Sequence, residues 1–142
     1  MTKFLAIDYG RVRCGLAVSD ETNKIAFGRC VLYNNTNLLN SIAEIIHKEK
    51  IGSVVIGYPL SLSGKKTSQT AEVEDFKLRL QNYLRMKQMN VDIVLFDERL
   101  TSKIARASMI ESGMKKNKRR EKSELDIISA TILLQDYLDS LN

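Results

Sequence analysis

The sequence predicts an α/β domain on a mixed five-stranded sheet, three antiparallel strands followed by two parallel ones, flanked by helices. Two observations carry this. Short apolar segments with strand-like alternation fill the first 33 residues, and helix-spaced apolar stripes then alternate with short apolar runs. The chain of 142 residues has no internal repeat, low-complexity tract or obvious linker, and only one proline, so residues 1–142 are expected to form one domain.

Residues 3–8, "KFLAID", read as the first strand, and Gly10 supplies the turn after it. In 12–19, Val12, Cys14, Leu16 and Val18 alternate onto one face of a second strand. Its other face carries Gly15 and Ala17, small enough to let another element pack closely. Residues 25–33 read as a third strand, completing an antiparallel meander. Leu38, Leu39, Ile42, Ile45 and Ile46 then form an apolar stripe at helix spacing, to about residue 50. "SVVIG" (53–57) has the all-apolar pattern of a central parallel strand covered on both faces. The polar loop "YPLSLSGKK" follows.

A long helix is expected over 68–88, with Ala71, Phe76, Leu80 and Leu84 inward and Glu72, Glu74 and Asp75 near its positive end. "VDIVLF" (91–96) is a further strand, ending in "DER". A helix over 102–112 stops at Gly113, and a last helix spans 124–139. The order βββαβαβαα, with right-handed parallel crossovers in its second half, resembles the ribonuclease H-like fold.

Composition narrows the function classes. With 44% apolar and 27% charged residues, the chain is an ordinary soluble globular sequence. Its apolar runs are too short to span a bilayer, and its N-terminus lacks the pattern of a signal peptide. No membrane partner and a cytoplasmic location are therefore expected. Cys14 and Cys30 form no CxxC and are read as reduced strand residues. One histidine and two cysteines also argue against a zinc site. The single histidine, His47, falls on the polar side of its helix.

The net charge of +5 comes from 22 basic and 17 acidic residues, and its whole surplus is local. The octet 115–122, "KKNKRREK", holds Lys115, Lys116, Lys118, Arg119, Arg120 and Lys122 against one acid, leaving sixteen of each sign elsewhere. Such a patch suits phosphate binding, with a mobile solvated loop as the plainer reading. Arg11, Arg13, Lys65 and Lys66 extend the same surface. Tyr9 and Tyr58 flank the strand ends, where each either stacks on a base or packs over the sheet.

Sites in open α/β sheets form at the carboxyl ends of the parallel strands. Asp8 closes the first strand and Asp97-Glu98 the fifth, with the strand ending in Gly57 between them. Two strand spacings separate those acids by roughly 10 Å. The longer Glu98 reaches inward more easily than Asp97. Asp126 joins the set from the last helix, where "SELD" also fits an N-terminal capping pattern. Each acid has a plain alternative: a turn acid for Asp8, an ion pair with Arg99 for Glu98, a cap for Asp126. Together they suit hard divalent cations bound through oxygen. Two Mg²⁺ ions about 4 Å apart would activate a water and stabilise the leaving oxygen of a phosphodiester.

The blocks "IDYGRVRCGLAVSD", "VVIGYPLSLSG", "FDERLTS" and "SELDIISATILLQDYLD" resemble those of the YqgF family, nearly end to end. That family is described as Holliday junction resolvases or pre-16S rRNA processing nucleases. The resemblance implies Asp8, Glu98 and Asp126 as the catalytic, metal-binding set, with one or two Mg²⁺ or Mn²⁺ ions and Asp97 or Glu124 as supplementary acids. It implies an endonuclease acting on precursor rRNA or branched DNA, as a monomer or a dimer. Two other functions stand beside it. One is a non-catalytic RNA-binding factor in ribosome assembly. The other is an ATP-binding domain, since "DYGRVRCG" also resembles the phosphate-binding hairpin of actin and sugar kinases.

Overall fold

The computed structural model describes residues 2–97 and 118–141, the side chains of 118–121 excepted. The helix expected over 102–112 lies outside these residues. Strands β1 (Lys3–Asp8), β2 (Arg13–Ser19) and β3 (Ala26–Tyr33) lead into helix α1 (Leu38–Glu49). Strand β4 (Ile51–Tyr58), helix α2 (Ser68–Met86), strand β5 (Asp92–Asp97) and helix α3 (Lys118–Ser140) follow. The sheet runs β3-β2-β1-β4-β5. β1–β2 and β2–β3 are antiparallel, while β1–β4 and β4–β5 are parallel. This is the mixed ribonuclease H-like sheet.

Strand alternation divides the core in two. Leu5, Ile7, Cys14, Leu16 and Val18 face α1 and α2, while Ala6 and Ala17 face α3. The stripe of α1 buries Leu38, Ile42, Ile45 and Ile46, as its spacing predicts. On α2 the buried residues are Thr70, Val73, Phe76, Leu80 and Leu84, and Ala71 is exposed instead of inward. Each fully buried apolar side chain of this kind stabilises the fold by roughly 1.5–3 kcal/mol.

α3 lies across the opposite face on small residues. Ala130, Leu133, Leu134 and Leu138 are buried against the sheet, and Tyr137 meets Phe4 and Phe96 edge-on at 5.6 and 5.2 Å between ring centres. Near its far end, Gln135 accepts a hydrogen bond from the Ala26 amide and donates one to the Lys24 carbonyl, both 2.9 Å. The helix starts at Lys118, inside the basic octet and six residues before the expected start. Lysine, arginine and glutamate are good helix formers, and no glycine or proline interrupts the segment. Among the described residues, no helix is long and apolar enough to cross a membrane.

Candidate active site

The pleat of β1 and the register of β2 fix where Asp8 stands. Asp8 follows Phe4 and Ala6 on the α3 face, at the carboxyl end of β1 and directly opposite Gly15. Over Gly15 sits the α3 backbone: a Cβ built on Gly15 would lie 1.9 Å from the Asp126 carbonyl oxygen. Two acids 118 residues apart in sequence are thereby brought to one corner of one face. The helix start at Lys118 also removes the capping reading of Asp126, which lies about two turns inside α3.

Arg13 occupies the same face of β2, two residues before Gly15. Its Nε donates to Asp126 Oδ2 at 2.5 Å, and both side chains are only about a quarter exposed, 25% and 29%. Sequence reasoning placed Arg13 among the phosphate-binding residues. The structure turns its guanidinium onto an acid of the site.

A cleft of about 570 Å³ opens from Asp8 toward the N-terminus of α2, lined by Gly10, Arg11, Gly57, Ser68 and Glu72 among others. Gly57, one residue before the end of β4 and not at the end as expected, contributes no side chain to the cleft wall. Thr67 and Thr70 close a capping box at the start of α2, and the Thr70 hydroxyl also donates to the Pro59 carbonyl at 2.5 Å. That bond lets a polar residue, Thr70, take the inward place that the sequence assigned to its neighbour Ala71. Arg11 is held over the rim by Glu72, Nη2 to Oε1 at 2.7 Å, and this pair raises the arginine and lowers the glutamate from their ordinary pKa values. The acids near the start of α2 serve as ion-pair partners: Glu72 with Arg11, Glu74 with Lys66, and Asp75 with Arg79.

Tyr9 stacks on Phe76 with ring centres 4.4 Å apart, and Arg79 reaches its hydroxyl at 3.4 Å. One face of Tyr9 is thus committed to packing, and Tyr58 is likewise packed against the core. Asp97 pairs in register with Tyr58, one residue beyond Phe96, so strand alternation assigns it to the face opposite Asp8. Glu124 is exposed on α3, about 200° around the helix from Asp126. Glu98, Lys115 and Lys116 lie outside the described residues. Lys118, Arg119 and Arg120 lie in the first turn of α3, and Lys122 in its second turn is exposed.

Among the described residues, no three histidine, cysteine or acidic side chains gather as a metal-binding group. Asp8 and Asp126 nonetheless offer oxygen donors only, the chemistry that Mg²⁺ and Mn²⁺ prefer. The soft ligand closest in register, Cys14, faces the other side of the sheet. Burial pushes its thiol up to about 11.

Comparison with known proteins agrees with this architecture. Residues 2–140 match the family model RuvX, Holliday junction resolvase. A Flavobacterium psychrophilum protein named "Putative pre-16S rRNA nuclease" is 41% identical over 138 residues, 97% of each chain. Thermus thermophilus RuvC in complex with a Holliday junction superposes with a TM-score of 0.59 over 100% of this chain and 98% of that one, at 15% identity. The fowlpox virus resolvase with Holliday junction DNA gives 0.55 over 99% of each, also at 15% identity. The two structural likenesses establish the fold.

Proposed function

Because the chain belongs to the RuvX family of Holliday junction resolvases, we propose that it is a metal-dependent endonuclease hydrolysing phosphodiester bonds in structured nucleic acid. Precursor 16S rRNA is the first candidate substrate, since the relatives at 36–41% identity carry that name. Branched DNA is the second, and the cytoplasm is the expected compartment. The observation that carries the reading is the Asp8–Asp126 corner, made by the Asp8–Gly15 register and the seating of α3 on Gly15.

Asp8 and Asp126 would hold Mg²⁺ or Mn²⁺, with Glu98 as the third ligand and catalytic acid expected from the sequence. A bound divalent ion supplies charge stabilisation at phosphate oxygens and lowers the pKa of a coordinated water. The protein's own residues provide positioning. Asp8 stands at the cleft wall with Gly57, which carries no side chain, so a phosphodiester can approach it. Arg11 on the rim, with Lys118, Arg119, Arg120 and Lys122 at the start of α3, would neutralise flanking phosphates. The Arg11–Glu72 pair is exposed and screened by solvent, so exchanging Glu72 for a phosphate costs little.

The test is cleavage of precursor 16S rRNA and of a four-way DNA junction in Mg²⁺ or Mn²⁺, comparing wild type with Asp8→Asn. Wild type is expected to cut at least one of them, and Asp8→Asn to bind it without cutting. If both proteins bind and both are inert, the chain is a binding factor and the nuclease reading falls.

A further inference from the structure

We propose that Arg13 is the built-in counter-cation of Asp126, a positioning residue that neutralises this carboxylate until a divalent ion takes its place; the inference rests on the reading of Asp126 and Asp8 as metal ligands. Four observations converge on it. The Arg13–Asp126 contact is short, 2.5 Å, and joins residues of β2 and α3 that are 113 positions apart. Both side chains are largely withdrawn from solvent, unlike Arg11, whose side chain is 68% exposed. The Asp126 backbone is seated on Gly15, which holds the root of its side chain beside β2, the strand that carries Arg13. Asp8 pairs with Gly15 on the same face, so a second negative charge stands beside the pair. Clustered carboxylates repel one another, and a neighbouring guanidinium relieves that repulsion.

A divalent ion on Asp126 must compete with this guanidinium for the same oxygens. Two effects of removing Arg13 oppose each other. A freed aspartate loses orientation, which for a side chain with two torsions weakens binding by about two- to threefold. A unit positive charge also disappears from beside a divalent ion, and even at the dielectric of water that strengthens binding by roughly tenfold for a separation of about 6 Å. The charge effect wins.

Mn²⁺ titration of the full chain, followed by electron paramagnetic resonance, therefore reads the proposal directly. Arg13→Gln is expected to bind Mn²⁺ about tenfold more tightly than wild type, while melting at a lower temperature without metal. Arg13→Lys keeps the charge and is expected to stay within about threefold of wild type. Equal or weaker Mn²⁺ binding in Arg13→Gln overturns the inference, as does Arg13→Lys behaving like Arg13→Gln. Wild type binding no Mn²⁺ would remove the metal reading and the inference together.

Salt dependence of nucleic-acid binding in metal-free buffer supplies a second readout. An arginine occupied by Asp126 adds nothing to the log–log slope, so Arg13→Gln should leave the slope unchanged. A slope shallower by about 0.9 would instead make Arg13 a phosphate contact. Asp126→Asn should release the guanidinium and steepen the slope by a similar amount; no change there also counts against the pairing.

Discussion

A methyl group at position 15 would collide with the Asp126 carbonyl oxygen at 1.9 Å, and backbone cannot swing aside as a side chain can. The approach of α3 to β2, and with it the separation of Asp126 from Asp8, thus depends on the smallest residue. Gly15→Ala is expected to destabilise the fold by about 1–3 kcal/mol through overpacking. That appears as a melting temperature lower by roughly 3–10 °C, and cleavage should fall even though both acids remain. An unchanged melting temperature would show that α3 has room to spare.

At the scale of elements, α3 decides what Ser123 and Asp126 do. If Ser123 opened the helix, Ser123→Ala would cost about 1 kcal/mol as a lost cap. Because the helix begins at Lys118, Ser123 is interior, and alanine there is expected to be neutral or stabilising by a few tenths of a kcal/mol. Chemical denaturation of the two proteins distinguishes these outcomes. Much of the architecture was legible from local pattern. The alternation of Cys14, Leu16 and Val18 foretold which face of β2 is apolar, whereas Val12, read onto that face, lies before the strand and is 63% exposed. The small Gly15–Ala17 face foretold close packing, and "SVVIG" foretold a covered central strand. The start of α3 was harder to see, because a run of lysines and arginines carries no apolar period whether it is helix or loop. Thr70 was missed because a buried hydroxyl satisfied by the Pro59 carbonyl leaves no hydrophobic signal. The Arg13–Asp126 and Arg11–Glu72 pairs span 113 and 61 residues, beyond the reach of any local spacing. Alternation within β1 and β4 carries Asp8 to the site, but whether Asp97 shares its face depends on register across the sheet.

For the molecule as a whole, the two helical layers protect the faces of the sheet and leave its margins, β3 and β5, as the outermost strands. Ile25 and Phe27, near the start of β3, are about half exposed. An open strand with apolar side chains invites pairing with another chain. At that corner the Gln135 amide accepts from Ala26 and donates to Lys24, residues two apart, much as one residue of a parallel neighbour would. A helix side chain thus impersonates a single rung of a sixth strand, and an arriving chain finds that rung taken. Gln135→Ala is expected to leave the monomer folded but to lower the temperature at which concentrated solutions scatter light, and identical scattering onsets would deny the residue this role. A glutamine that looks like ordinary helix surface then acts as a guard against self-assembly, at the end of the sheet farthest from Asp8.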